Sequence, residues 1–197
     1  MEIGVYDIET LKPPPEVGWS NFKDMGMSVG CVLILNVENT DGSFKKYKVD
    51  EETYFEPKRL AKRLNTLDLV VGFNNNSFDN NIICEHTAKD QKFLLNSLDI
   101  LEDLTGETKI KYLTNLDDLA ETTIEEGKDC QISANAPELW SKGERQKVID
   151  QCLKDVEITA KVFVFGLKNG YVLTKPNKGD LFGQMVLKVP VKWAERI

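Results

Sequence analysis

The sequence holds one histidine, four cysteines and no long apolar run, and each shortage narrows what the chain can be. Cys31, Cys84, Cys130 and Cys152 stand far apart and form no C-x-x-C pair. A zinc site or a disulfide framework needs closely grouped thiols, so neither is expected; the four read as ordinary reduced side chains, with Cys31 and Cys152 buried. Apolar runs such as Val32–Leu35 fall far short of the ~20 residues that span a bilayer. Met1 leads straight into a strand-like pattern, without the basic and apolar regions of a signal peptide, so a cytoplasmic location is expected. Cations are also short. Lys and Arg number 25 against 32 Asp and Glu, a formal charge of −7, which argues against gripping nucleic acid by a basic surface alone. It does not exclude a nuclease, because divalent cations held by carboxylates offset the local charge and attract phosphate.

What is present is an ordinary globular chain of 197 residues, 41% hydrophobic, enough for one α/β domain with a core. Glu2–Ile8 reads as a strand with Ile3, Val5 and Asp7 on one face and Gly4, Tyr6 and Ile8 on the other. Both faces are largely apolar, as in a central strand covered on two sides. Leu11–Gly26, with three consecutive prolines, reads as a loop. Val29–Val37 is a second strand, and Phe44–Val49 its hairpin return after a turn at Asn39–Gly42. Helices are expected at Glu56–Asn65, Asp79–Thr87, Leu101–Thr105, Leu116–Ile124 and Ala136–Ser141, with strands at Leu67–Asn74 and Ser97–Ile100. Glu144–Lys168 is the longest helical pattern. Val148, Cys152, Val156, Thr159 and Phe163 follow its spacing, and Gly170 closes it. Tyr171–Trp193 reads as a terminal hairpin around Asn177–Asp180. The expected organisation is a domain over residues 1–170 with a C-terminal hairpin extension, 171–197, packed on it. There is no repeat, low-complexity segment or linker.

Three acidic features carry the chemistry. Asp7-Ile8-Glu9 ends the first strand, where residues two apart emerge on one side, about 7 Å apart. Such a pair can flank a divalent ion; taken alone it is equally an acidic strand end facing water. Asp79 follows a buried strand and the Asn-rich turn Asn74-Asn75-Asn76-Ser77-Phe78, and by itself suits a plain helix N-cap. Asp155 lies within the long helix, where an acid ordinarily faces solvent.

Together these pieces resemble the DEDD (DnaQ-like) exonuclease superfamily. Its first motif is D-x-E, here Asp7-Ile8-Glu9 followed by Thr10. Its second is an Asn, two or three residues, an aromatic and Asp, here Asn74 or Asn75 before Phe78-Asp79. Its third sets an Asp on a late helix, here Asp155. Ala136-Pro137-Glu138-Leu139-Trp140 resembles the branch of ribonuclease-H-like domains attached to helicases. The resemblance implies a ribonuclease-H-like α/β fold: a mixed five-stranded sheet that starts with three antiparallel strands, with helices on both faces. It implies two Mg²⁺ or Mn²⁺ ions held by Asp7, Glu9, Asp79 and Asp155, with Thr10 and Asn74 or Asn75 toward the substrate; Trp19, in the long loop after the first motif, is a further candidate for substrate contact by its position. The expected activity is stepwise 3′–5′ hydrolysis of nucleic acid, DNA before RNA. A helicase or another replication or repair protein is the expected macromolecular partner.

The match departs from the family at one place. The superfamily usually carries Tyr four residues, or His five residues, before the last Asp, and this sequence has Gln151 and Asp150 there. Gln151 cannot act as a base, though one turn from Asp155 it can hydrogen-bond a water. Asp150 lies about 140° around the helix from Asp155, at ~100° per residue, which disfavours metal ligation but leaves it, beside Gln151, a candidate for orienting the attacking water. A non-catalytic nucleic-acid-binding or helicase-docking module with the same fold is therefore one alternative, and a ribonuclease with the same site is the other. His86, Asp99 and the basic side chains Lys58, Arg59, Lys62 and Arg63 each have a structural or solvated reading beside a functional one. Phe22, like Trp19, suits either base stacking or loop packing.

Overall fold

A computed structural model describes residues 1–37, 49–87, 91–110, 114–126, 135–175 and 185–197. Five strands make one sheet: β1 (Glu2–Thr10), β2 (Met27–Asn36), β3 (Val49–Tyr54), β4 (Leu69–Gly72) and β5 (Ser97–Asp99). Their order is β3-β2-β1-β4-β5. β1–β2 and β2–β3 are antiparallel, whereas β1–β4 and β4–β5 are parallel. This is the ribonuclease-H-like mixed sheet that the resemblance implies, with β1 at its centre.

The alternation read in β1 sorts the core into two layers. Ile3 and Val5 pack with Val29, Cys31, Val71, Val148, Cys152 and Val156 on one face. Tyr6 and Ile8 pack with Val32, Leu60, Leu64, Ile82 and Ile83 on the other. The first layer is covered by α5 (Ile100–Thr108), α6 (Leu116–Ile124), α7 (Ala136–Ser141) and α8 (Arg145–Asn169). The second lies under α2 (Phe22–Met25), α3 (Pro57–Leu64) and α4 (Asp79–Glu85). The 25-residue α8 buries all five positions of the expected stripe, from Val148 to Phe163. It ends at Gly170, whose φ of 72° is the left-handed conformation that glycine tolerates.

Several expected boundaries move by a few residues; β4, for one, is Leu69–Gly72 and not Leu67–Asn74. The described part of the hairpin return of β2 is Val49–Tyr54, which runs past the expected end at Val49; the rest of Phe44–Val49 and the Asn39–Gly42 turn lie outside the described residues. Asp50, Glu51 and Glu52 disguise that strand because acids have low β-propensity, yet on an edge strand they can face water. The Leu11–Gly26 segment contains two single-turn helices, α1 (Pro14–Val17) and α2. α1 has proline at its N-terminus, where the missing N–H costs nothing.

At the C-terminus β6 (Tyr171–Thr174) and β7 (Leu187–Pro190) pair antiparallel; the Asn177–Asp180 turn between them lies outside the described residues. Val172, Val189, Val191 and Trp193 join the α8 side of the core. Trp193 stacks on Phe163 at 5.7 Å and donates its Nε1–H to Asp103 at 2.7 Å. Among the described residues no helix is long and apolar enough to cross a membrane.

Candidate metal centre

β1 delivers Asp7 and Glu9 to the same face because side chains two apart on a strand share a side. A register shift between Glu9 and Thr10 then ends the regular pairing with β2. α8 crosses this face, and the Cys152 thiol donates to the Asp7 carbonyl at 3.4 Å, seating the helix on the strand. Burial, with Cys31 beside it, pushes the Cys152 thiol well above the ordinary range, so it stays protonated and able to donate. One turn later comes Asp155, only 5% exposed. One carboxylate oxygen from each of Asp7, Glu9 and Asp155 lies within 4.8 Å of the others. Three carboxylates this close repel one another unless a cation or shared proton intervenes. A set of hard oxygen donors suits a divalent ion such as Mg²⁺ or Mn²⁺.

Asp79 stands outside this group of three. It is the first residue of α4, and the cap position belongs to Phe78, so the plain N-cap reading is corrected. The reason is the strand beside it. The β1–β4 ladder ends at Val5↔Val71, and beyond it the Ile8 amide donates to Asp79 Oδ1 at 3.1 Å. Burial pushes the Asp79 carboxyl up to about 7, against the hydrogen bonds from the Ile8 and Asp79 amides.

The Asn-rich turn divides its labour. Asn74 is exposed and adopts the left-handed φ of 64°. Its amide and that of Asn76 both donate to Asp99 at 2.9 Å. Asp99 also accepts from Glu102 N at 3.2 Å, so it caps α5 and braces the turn at once. Asn75 is 1% exposed, and its Nδ2 donates to Ser97 Oγ at 3.0 Å and to the Tyr6 hydroxyl at 3.3 Å. The Tyr6 hydroxyl in turn donates to Asn80 Oδ1. Sequence reasoning missed this Tyr6–Asn75–Asn80 network, which ties β1 to the turn and to α4. The signal was a hydroxyl on an otherwise aliphatic strand face, with Asn80 at a buried helix position.

Gln151 is buried, and its Nε2 donates to Asp155 Oδ1 at 3.0 Å. Asp150 is exposed and accepts from Gln146 at 2.8 Å, on a different side of the helix. Thr10 is 7% exposed at the end of β1. Trp19 is 71% exposed, whereas Phe22 packs edge-on against Phe78 at 6.3 Å. His86 closes α4 with Nε2 buried. Arg63 is committed to Glu52 and Glu2, and Arg59 pairs with Glu56, while Lys58 and Lys62 are exposed.

No family model and no curated protein matches the chain. It is similar to solved structures of exonuclease I. One, reported as suggesting how processivity is achieved, aligns with a TM-score of 0.42 and 10% identity over 85% of this chain and 41% of the other. A second, an ExoI/SSB-Ct complex, aligns with a TM-score of 0.41 and 11% identity over the same shares. The chain thus spans less than half the length of these structures.

Proposed function

We propose that the chain is a metal-dependent 3′–5′ exonuclease of the DEDD type, with DNA preferred to RNA. The observation that carries this reading is the convergence of Asp7, Glu9 and Asp155, from two distant segments, within 4.8 Å. An acidic strand end facing water and a solvent-facing helix acid do not produce a buried carboxylate opposite two others.

Asp7, Glu9 and Asp155 are the residues that would hold the ions, and Asp79, fixed on the amide between Asp7 and Glu9, would be the fourth ligand. Two Mg²⁺ or Mn²⁺ ions, when bound, supply the positive charge that draws in a scissile phosphate, readies a water and eases departure of the 3′ oxygen. Gln151 holds Asp155 in place through one oxygen, as outer partners of ligands commonly do. Its amide accepts no proton at neutral pH, so this position contributes orientation without general base catalysis. A rate below that of enzymes with a base here is expected. The resemblance favours DNA, and matched DNA and RNA strands separate the two.

The same Gln151 favours a second reading, a nucleic-acid-binding module that keeps the acids without turnover. Cleavage of a 5′-labelled single-stranded DNA and its RNA counterpart, with Mg²⁺ or Mn²⁺, decides between them. A ladder shortening from the 3′ end, absent in Asp7→Ala, supports the exonuclease. No cleavage by folded protein that binds Mn²⁺ overturns it in favour of the module.

A further inference from the structure

The sheet face that carries the carboxylates also carries an aromatic pair. β3 ends at Tyr54, which packs against the opposite layer, and the next residue, Phe55, turns toward the α8 side. There its ring meets Trp140 of α7, with centroids 6.2 Å apart and planes tilted by 36°. Phe55 is 54% exposed. Trp140 is half-buried, anchored on the core under α8. The guanidinium of Arg145, at the start of α8, lies over the Trp140 ring at 5.1 Å from its centroid. Among the described residues no ion pair engages Arg145, while the acids around it are matched: Glu56 by Arg59, Glu138 by Lys142 and Glu144 by Lys147.

Register places this cluster relative to the site. Glu9 is level with Val29, and Gly30 with Tyr54, so Phe55 is level with Glu9 two strands away. At ~4.8 Å per strand that is about 10 Å. Arg145 starts α8 ten residues before Asp155, about 15 Å along the helix at 1.5 Å per residue. A nucleic-acid strand covers such distances in about three or four nucleotides at 3.4 Å per step.

We propose that Phe55, Trp140 and Arg145 form a stacking platform for a single-stranded nucleic acid whose end lies at Asp7, Glu9 and Asp155. This rests on the reading of that cluster as a nucleic-acid site. Exposed aromatic rings take bases of any sequence because every base has a π-face, and a guanidinium stacked on indole adds charge toward phosphate. Bases already stacked within a duplex cannot use the platform, so the surface selects single strands. It also supplies affinity that the chain's net negative charge withholds elsewhere.

The test is fluorescence anisotropy of labelled oligothymidylate and oligouridylate with Ca²⁺ present, using wild-type, Phe55→Ala, Phe55→Leu, Phe55→Trp and Arg145→Ala proteins. Phe55→Ala and Phe55→Leu should weaken binding of either strand about tenfold, Phe55→Trp should restore it, and Arg145→Ala should flatten its salt dependence. Hydrolysis of the p-nitrophenyl ester of thymidine 5′-phosphate, which has no second nucleotide to stack, should be unchanged in the Phe55 variants. Oligonucleotide binding indifferent to Phe55, or a duplex showing equal dependence on it, would overturn the platform. Binding that depends on Phe55, with no ester hydrolysis by wild-type protein, would support the platform and remove the exonuclease reading.

Discussion

Asp79 accepts the amide hydrogen of Ile8, the one residue between Asp7 and Glu9, at 3.1 Å. The second acidic motif is thereby tied to the backbone of the first. The bond replaces a strand partner that β4 does not extend far enough to provide.

This relationship separates stability from activity at Asp79. Asp79→Asn retains an acceptor for the Ile8 amide while removing the charge. Its Tm should stay within a few degrees of wild type, and cleavage should fall about a hundredfold or more. Asp79→Ala leaves that amide without its acceptor in a buried site, a cost of about 1–3 kcal/mol, and its Tm should drop by several degrees. Thermal melts beside cleavage assays read both effects. A Tm for Asp79→Asn as low as that for Asp79→Ala would contradict the assigned bond.

Gln151 is expected to act through the Asp155 carboxylate that it holds. Gln151→Ala removes the donor at 3.0 Å from Asp155 Oδ1, and divalent-ion affinity should weaken about 10- to 100-fold. Titration calorimetry with Mn²⁺ measures this, and an unchanged affinity would show that Asp155 is held by other contacts.

Gly166 lies where α8 meets the C-terminal segment. A Cβ at this position would collide with the Trp193 ring, so Gly166→Ala should cost about 1–3 kcal/mol through overpacking. Tm should fall while cleavage per folded molecule stays at the wild-type level. Because Trp193 donates to Asp103, indole fluorescence should report the displacement. An unchanged Tm would mean that the terminal segment is not docked here.

Tyr54 supplies a pH signature away from the acidic cluster. Burial, and then the neighbouring Glu52 carboxylate, push its phenol up to about 12 from 10.0. The unfolded chain loses this proton first, so the contribution to stability is complete below pH 10 and disappears as pH rises through about 12. Phenolate absorbance should show a late-titrating tyrosine that is missing in Tyr54→Phe, and titration of that residue near pH 10 would refute the arrangement.

Much of this molecule was legible in the sequence because its strongest signals are periodic. The two-residue alternation in β1 set which acids share a face, and the helical spacing from Val148 to Phe163 set which side of α8 meets the sheet. Asp155 lies on that stripe, three residues after Cys152, yet an acid in mid-helix ordinarily faces solvent, and only the family resemblance pointed it toward the site. Less legible was anything decided by where a neighbouring strand stops. Asp79 turns to Ile8 because β4 is only four residues long, and no local pattern around Asp79 encodes that length. The acid-rich β3 was hidden for a related reason: its edge position permits charged side chains that a central strand would exclude. Phe55 and Trp140 lie 85 residues apart in sequence and meet only once the sheet and α7 are in place.

The measurement that bears most directly on the acidic cluster is calorimetric titration of wild-type, Asp7→Asn and Asp155→Asn proteins with Mn²⁺, each first shown to be folded by circular dichroism. If Asp7, Glu9 and Asp155 hold divalent ions together, wild-type protein binds Mn²⁺ and each substitution, on strand or helix, weakens the same binding event. Folded wild-type protein that takes up no Mn²⁺, or binding indifferent to Asp155, would contradict the assignment of these three carboxylates to one metal centre.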